Sequence, residues 1–395
     1  MRPVVIVSDF AVPNGGAAIL ALTLARGLAA RGVSVTYLSG DAPRDLGPIR
    51  HVGLGAGTLL QEGRGTAMSR GLWNREARSA LSRLVAKMPG ALFHVHGWAQ
   101  ILSPSIFAAL RPVASRTVIH AHDAALNCPN GVAYVYGRDE PCARVALSPR
   151  CLSTGCDKRS AVHKAWRSLR HARLRSALSG APWGAVALIH PSQLDRHRRE
   201  GFDGRTLRVH RNPAMPWATD RIPAEERSGA LFVGRLDPGK GARLLARAAA
   251  RAEVPLTVVG DGPVGAEVTS MEGVTMAGWQ DRAGIAEIAP TTRFLVMPSR
   301  FPEPFGLAAA EASRSGLPVI VSDRCGVAAD VERLGIGRSV PAEEDALATA
   351  LRTMSEMPKA DLRRMSERGH SGGGLGPTED GWVDGLMDLY AELGG

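Results

Sequence analysis

Arg-Phe-Leu-Val-Met-Pro-Ser-Arg-Phe-Pro-Glu-Pro-Phe-Gly-Leu-Ala-Ala-Ala-Glu-Ala-Ser-Arg-Ser-Gly-Leu-Pro-Val-Ile-Val-Ser, residues 293–322, decides the fold. Phe294 to Met297 is a short apolar run of the kind that forms a parallel strand buried on both faces. Pro298 to Pro304 is a turn-rich loop. Phe305 to Ser315 is Ala-rich and predicts a helix, with Gly316 at its C′ position. Leu317 to Val321 predicts the next buried strand. In sheets built from such units, ligands sit at the carboxyl ends of strands, where a helix N-terminus offers free N–H groups and a positive dipole. Gly306 would let a phosphate or sugar come close to the backbone. Glu303 precedes the helix and Glu311 lies about one and a half turns inside it.

The same grammar recurs upstream. Ala230 to Val233 is a strand, followed by Gly234-Arg235-Leu236-Asp237-Pro238-Gly239-Lys240-Gly241 and a helix from Ala242 to Arg251. Arg offers forked donors and Lys a point charge, a pair suited to a pyrophosphate. The loop is not a Walker A loop, which would end Gly-Lys-Ser/Thr. Near the N-terminus, Val4 to Val7 is a strand, Ser8 to Gly16 a loop and Ala17 to Ala30 a helix, with Gly15 and Gly16 just before it. Strands at Ala91 to Val95 and Thr117 to His120 carry or run into His94, His96, His120 and His122. Such histidines either face a ligand or serve as satisfied structural side chains.

The Glu303-x7-Glu311 spacing, set in Pro-Ser-x-x-x-Glu-Pro-Phe-Gly and followed by Gly-x-Pro-Val-Ile, resembles the retaining glycosyltransferases of family 4. The Gly-Arg-Leu…Lys-Gly loop and the His122-Asp123 pair are similar to that family too, and the likeness runs over nearly the whole chain. It implies an α/β chain of the GT-B fold, two facing Rossmann-like domains with a deep interdomain cleft. Residues 1–212 would form the acceptor-side domain, residues 213–377 the donor-binding domain, and the helix at about 378–395 would pack back on the first. The resemblance gives Arg235 and Lys240 to the donor diphosphate, with Phe305, Gly306, Leu307 and Glu311 also in the donor site. Gly15 and Gly16 would face the donor across the cleft. Glu303 and His122 would meet the transferred sugar, with His96 beside them.

Length and composition agree with a two-domain globular protein. The chain has 395 residues, 45% hydrophobic and 22% charged, enough for two α/β cores. No secretory leader precedes the first strand and no run of 18 apolar residues is present, so a cytoplasmic protein is expected. The net charge of +10 is uneven. Residues 1–215 hold 29 Lys and Arg against 12 acids, and residues 216–395 hold 19 against 26. Either the first half meets an anionic partner, or the arginines reflect coding bias. Lys158 to Leu178 predicts a basic amphipathic helix with Val162, Ala165, Trp166, Leu169 and Leu178 near one face. It suits either a membrane surface or packing on its own sheet.

Four cysteines, Cys128, Cys142, Cys151 and Cys156, fall in one loop-rich stretch. A subset of the family is similar in the order His-Asp…Cys-Pro-Asn-Gly…Cys…Cys…Cys. They would either hold a structural zinc or pack as small buried side chains. Cys325 reads as a core thiol. The resemblance implies transfer of a sugar from a nucleotide-sugar to a hydroxyl of a glycan, lipid-linked or small-molecule acceptor, with retention. No Asp-x-Asp triplet occurs, so no catalytic metal or other cofactor is expected. Peripheral contact with the inner face of an anionic membrane fits the charge. A GT-B nucleotide-sugar epimerase is the alternative reading. Nucleic-acid binding is the other, but no recognition motif supports it.

Overall fold

The computed structural model describes residues 1–372 and 374–394, with Arg64 described by its backbone alone. Gly373, within the 371–377 stretch, and Gly395, at the end of the expected terminal helix, lie outside the described residues. Contacts divide the chain into two compact units. Unit 1 is Met1–His210 with Asp380–Gly395, and unit 2 is Arg211–Glu379.

Unit 1 holds strands β1 (Val4–Ser8), β2 (Val35–Ser39), β3 (Arg50–Gly53), β4 (Leu92–Val95), β5 (Thr117–Ala121), a small antiparallel pair β6 (Tyr134–Val135) and β7 (Glu140–Pro141), then β8 (Ala185–Leu188) and β9 (Leu207–Val209). Its main sheet has the order β3-β2-β1-β4-β5-β8-β9. Every neighbouring pair is parallel. β1, β2, β4, β5 and β8 are buried along their whole length, which explains their predominantly apolar sequences.

Unit 2 repeats the plan with β10 (Ala230–Val233), β11 (Leu256–Val259), β12 (Val274–Gly278), β13 (Phe294–Met297), β14 (Val319–Ser322) and β15 (Gly337–Val340). The order is β12-β11-β10-β13-β14-β15, again all parallel. In both sheets the strand order reverses beside the first strand of the unit, between β1 and β4 and between β10 and β13. Loops at the carboxyl ends of these strands diverge there and leave a crevice.

The terminal helix Glu379–Glu392 belongs to unit 1. It buries Trp382, Val383, Leu386, Leu389 and Tyr390, and a side chain such as Leu386 contributes about 1.5–3 kcal/mol when fully buried. Arg31, at the end of helix Gly16–Ala30, pairs with Asp380 at 2.8 Å and Asp384 at 2.7 Å. A Cβ at Gly27 would lie 2.7 Å from Val383 Cγ2, so the two helices approach where the first has no side chain.

Three features depart from the expectations. The Gly- and Pro-rich 41–66 segment, whose composition predicts a loop, contains β3, a short edge strand whose residues are only partly covered. Residues 67–87, whose sequence predicts a single helix, fall in two, Arg64–Leu72 and Arg75–Lys87, because the Asn74 side chain accepts from Ala77 N and starts the second. The basic helix, Ala161–Leu178, does not bury its expected apolar face as a whole: Leu178 is buried, whereas Val162, Ala165 and Leu169 are exposed. Lys164, Ser168, His171 and Leu174 point inward, while Val162 and Leu169 are 73% and 49% exposed. The inward face mixes Lys164, Ser168 and His171 with apolar Leu174, Ala177 and Leu178, and Lys164 is accommodated there because it meets two cysteines.

Ten of the eleven histidines lie in unit 1. Burial pushes His171 down to about 4, with Arg175, Lys164 and Arg170 adding to the shift. Burial also lowers His197, opposed by its hydrogen bond to Gln193 O, and lowers His210 against its bond to Trp382 O. A base whose folded pKa is depressed stabilises the fold above its unfolded pKa, about 6.5, and that stability is lost as pH falls toward the folded value. Unit 1 should therefore lose stability between about pH 6.5 and 4 before unit 2 does. Hydrogen exchange read separately on the two units across that range checks this. Equal acid sensitivity in both units is the contrary result.

Candidate functional site

At the switch point of unit 2, two of the expected site residues, Lys240 and Glu303, come together. The loop after β10 ends in a 3-10 turn, Pro238–Lys240, and Gly241 then caps helix Ala242–Ala252 at φ 81°. A Cβ there would sit 2.2 Å from Pro298 O, so only glycine lets this loop lie against the one after β13. The contact carries Lys240 to Glu303. Their Nζ and Oε2 are 2.5 Å apart, with the side chains 26% and 16% exposed. Ser299 Oγ donates to the same carboxylate at 3.3 Å, and the Phe301 ring lies 5.4 Å from Lys240 Nζ.

Backbone bonds hold Glu303 in place. Its N–H donates to Arg324 O at 3.1 Å, and its carbonyl accepts from Gly326 N at 2.7 Å. Gly306 caps helix Leu307–Arg314 at φ 108°. A Cβ on it would meet Met297 Cε at 2.6 Å and Cys325 Sγ at 2.9 Å. Phe305 is buried, and its carbonyl accepts from Cys325 Sγ at 3.0 Å. Cys325 is thus a core thiol, pushed up by burial first and then by the Glu303 charge. The free N–H groups at the start of this helix follow directly on Glu303 in the chain.

Glu311 lies on the same helix and pairs with Arg282 at 3.1 Å. Burial raises its pKa, and Arg282 and Trp217 pull it back. Arg235 is 77% exposed and lies 3.2 Å from Asp237. Trp279, just after β12, is 71% exposed. Sequence reasoning missed Arg282 and Ser299. The Pro298-Ser299 step after a buried strand was the available signal for the serine; nothing in the sequence pairs Arg282 with Glu311.

In unit 1, Gly15 caps its helix at φ 88° with open space where a Cβ would stand. Gly16 is the first residue of that helix. Asp9, also missed, is committed to structure: its carboxylate accepts from Gln100 N, Ile101 N and Leu102 N at 2.9–3.0 Å. His122 Nε2 lies 2.9 Å from His96 Nδ1. The surrounding protein strips water from the His122 ring and pushes it down to about 3, so it is neutral and able to donate or accept one hydrogen bond. His94 is fully buried and bonded to Tyr390 Oη at 2.5 Å, the structural one of the two placements open to it.

The four loop cysteines are buried and unpaired. Cys142 and Cys156 share a small core with Val135. Lys164 Nζ lies 3.0 Å from Cys156 Sγ and 3.8 Å from Cys151 Sγ. Burial works against that ammonium, but the Cys156 bond and the other sulfurs outweigh it and raise its pKa. Among the described residues, no three of the four sulfurs fall within 4.8 Å of one another. Two of the four sulfurs, those of Cys151 and Cys156, thus face the Lys164 ammonium.

The fold class that these two sheets define is GT-B. Residues 227–356, about a third of the chain, match the family described as Glycosyl transferases group 1. A D-inositol 3-phosphate glycosyltransferase of Thermomonospora curvata is 27% identical over 95% of this chain and 90% of its own. Its counterpart from Streptomyces griseus is 31% identical, over 44% of this chain and 42% of its own length. Among solved structures, a sucrose-phosphate synthase from Thermosynechococcus elongatus aligns with TM-score 0.73 at 20% identity, covering 100% of this chain and 99% of that one. Anabaena HepE in complex with UDP and glucose aligns with TM-score 0.66 at 16% identity, over 99% and 100%. The sequence match and the fold together are those of a glycosyltransferase. No helix among the described residues is long and apolar enough to cross a membrane.

Proposed function

We propose that the protein transfers a hexose from a nucleoside-diphosphate sugar to an acceptor hydroxyl with retention of configuration. The observation that carries this reading is the 2.5 Å pair between Lys240 and Glu303 at the unit 2 switch point. An ammonium has three donors. One holds Glu303 and the others remain for a diphosphate, so the cation ties the leaving group to the residue that orients the sugar. Arg235 and the N–H groups of Gly306 and Leu307, beside Phe305, add positive potential where leaving-group charge develops. Glu311 takes the ribose hydroxyls.

In this reading the bond between the anomeric carbon and the phosphate oxygen breaks, and the acceptor oxygen bonds that carbon on the same face. The acceptor proton passes to the leaving phosphate oxygen. No protein nucleophile and no catalytic metal are called for, since Lys240 and Arg235 meet the diphosphate charge. His122, Gly15 and Gly16 are the unit 1 residues assigned to the donor sugar. The acceptor's class follows from charge and kinship: unit 1 is strongly basic, and the similar Thermomonospora protein is described as acting on an inositol phosphate. An anionic acceptor fits both.

Lys240→Ala and Arg235→Ala should each lower kcat/KM with a nucleotide-sugar by about 2–4 kcal/mol of transition-state stabilisation. Glu303→Gln and His122→Ala should fall on kcat, and Glu311→Gln on donor binding. Steady-state kinetics with separate calorimetry reads the split. Product analysis closes the test: donor consumed to an isomer with no acceptor present would make the protein an epimerase.

The exposed Val162 and Leu169, beside the exposed Lys158, Arg159 and Arg173, favour peripheral docking on an anionic leaflet. Co-sedimentation with vesicles should require acidic lipid and fade as salt rises past about 0.15 M. Equal binding to neutral vesicles, or none to either, would remove the membrane from the account.

A further inference from the structure

Beneath the terminal helix, unit 1 holds a block of imidazoles that the proposed reaction does not use. His94 and His96 stand two residues apart at the end of β4, so they share a face. His120 stands on β5, next to β4. The three residues are 0%, 4% and 4% exposed. Ring centroids are 4.3 Å apart for His94 and His96, 4.9 Å for His96 and His120, and 5.2 Å for His94 and His120. Taking one ring nitrogen from each, the three atoms lie within 4.8 Å of one another.

Their hydrogen bonding is incomplete in a telling way. His94 Nδ1 is held by Tyr390 Oη, and His96 Nδ1 by His122 Nε2 at 2.9 Å. His94 Nε2 reaches His120 Nδ1 at 3.1 Å. His96 Nε2 and His120 Nε2 are buried with no hydrogen-bond partner. A buried polar atom left unsatisfied costs about 1–3 kcal/mol, so two of them on rings whose centroids lie 4.9 Å apart point to a missing common partner. All three rings are neutral at ordinary pH, because burial first and the neighbouring imidazoles next lower their pKa values. Each neutral ring carries one lone pair, and a metal at His94 Nε2 would take the place of its bond to His120.

We propose that His94, His96 and His120 form a binding site for a divalent first-row transition cation, zinc by chemistry, where β4 and β5 adjoin in unit 1. Neutral imidazole ligands select zinc, cobalt, nickel or copper over magnesium and calcium, which want oxygen. Tetrahedral zinc with Zn–N of about 2.0–2.1 Å needs nitrogens about 3.4 Å apart, within reach of small side-chain shifts. Tyr390 and His122 supply the outer hydrogen bonds that fix the orientation of metal-bound imidazoles. The cation would link β4 and β5 and, through Tyr390, the terminal helix. Its role is structural and separate from the diphosphate site, whose residues all lie in unit 2.

The test uses the full-length chain without a polyhistidine tag, stripped with chelator. Zinc is titrated in competition with a chromophoric chelator, and cobalt by its visible absorption. The expected result is one equivalent bound, a cobalt spectrum of nitrogen ligation without thiolate charge transfer, and a higher Tm. His96→Gln should lose at least about tenfold in affinity, and Tyr390→Phe, which keeps the ring and its packing, about tenfold as an outer-shell change. Absence of stoichiometric binding would overturn the proposal. So would binding that is unchanged in both variants, or binding that carries a thiolate spectrum and disappears in Cys151→Ser, which would place the metal at the cysteines.

Discussion

The hydrogen-bonded ion pair between Lys240 and Glu303 is the constraint on which the proposed chemistry depends. It joins the loops after β10 and β13, the two strands between which the sheet order reverses. Their approach is possible because Gly241 brings no Cβ against Pro298 O. Glu303 is further pinned by the backbone of Arg324 and Gly326. A cation and a carboxylate at this spacing form a preorganised electrostatic unit. The loops need no rearrangement to present positive charge to a phosphate and an acceptor oxygen to a sugar hydroxyl. Chain order matters too: Glu303 is followed at once by the N-terminus of helix Leu307–Arg314, so side-chain and backbone donors come to one strand end.

Much of this was legible because β-loop-α-β units in a doubly wound sheet carry their signals locally. Phe294–Met297 and Val319–Ser322 are fully buried strands, and an unbroken apolar run reports that directly. Gly306 and Gly316, at φ 108° and 90°, stand where the backbone leaves the region open to other residues. The pairing of Lys240 with Glu303 was not legible, since 63 residues separate them and only the assembled sheet brings them together. Arg282 with Glu311 is the same case.

The basic helix departs from expectation because burial need not be apolar. Helix Ala161–Leu178 turns Lys164 and His171 inward and leaves Val162 and Leu169 outside. A hydrophobicity pattern alone does not orient such a helix, because the inward lysine is satisfied by sulfur. Four buried thiols are read either as a zinc site or as loop packing, and the chain's own Lys164 ammonium lies against two of them. For His94 the structural alternative holds: it is bound to Tyr390, almost three hundred residues away in the chain.

The central claim is that the unit 2 switch point is a diphosphate site organised by Lys240. Calorimetric titration of the intact chain with a nucleoside diphosphate, its monophosphate and the parent nucleoside tests it most directly. The account expects one site per chain and at least about tenfold tighter binding of the diphosphate than of the monophosphate, roughly 1.4 kcal/mol. That preference should disappear in the folded Lys240→Ala variant. Equal affinity for all three ligands, or a diphosphate preference that survives loss of Lys240, would contradict it.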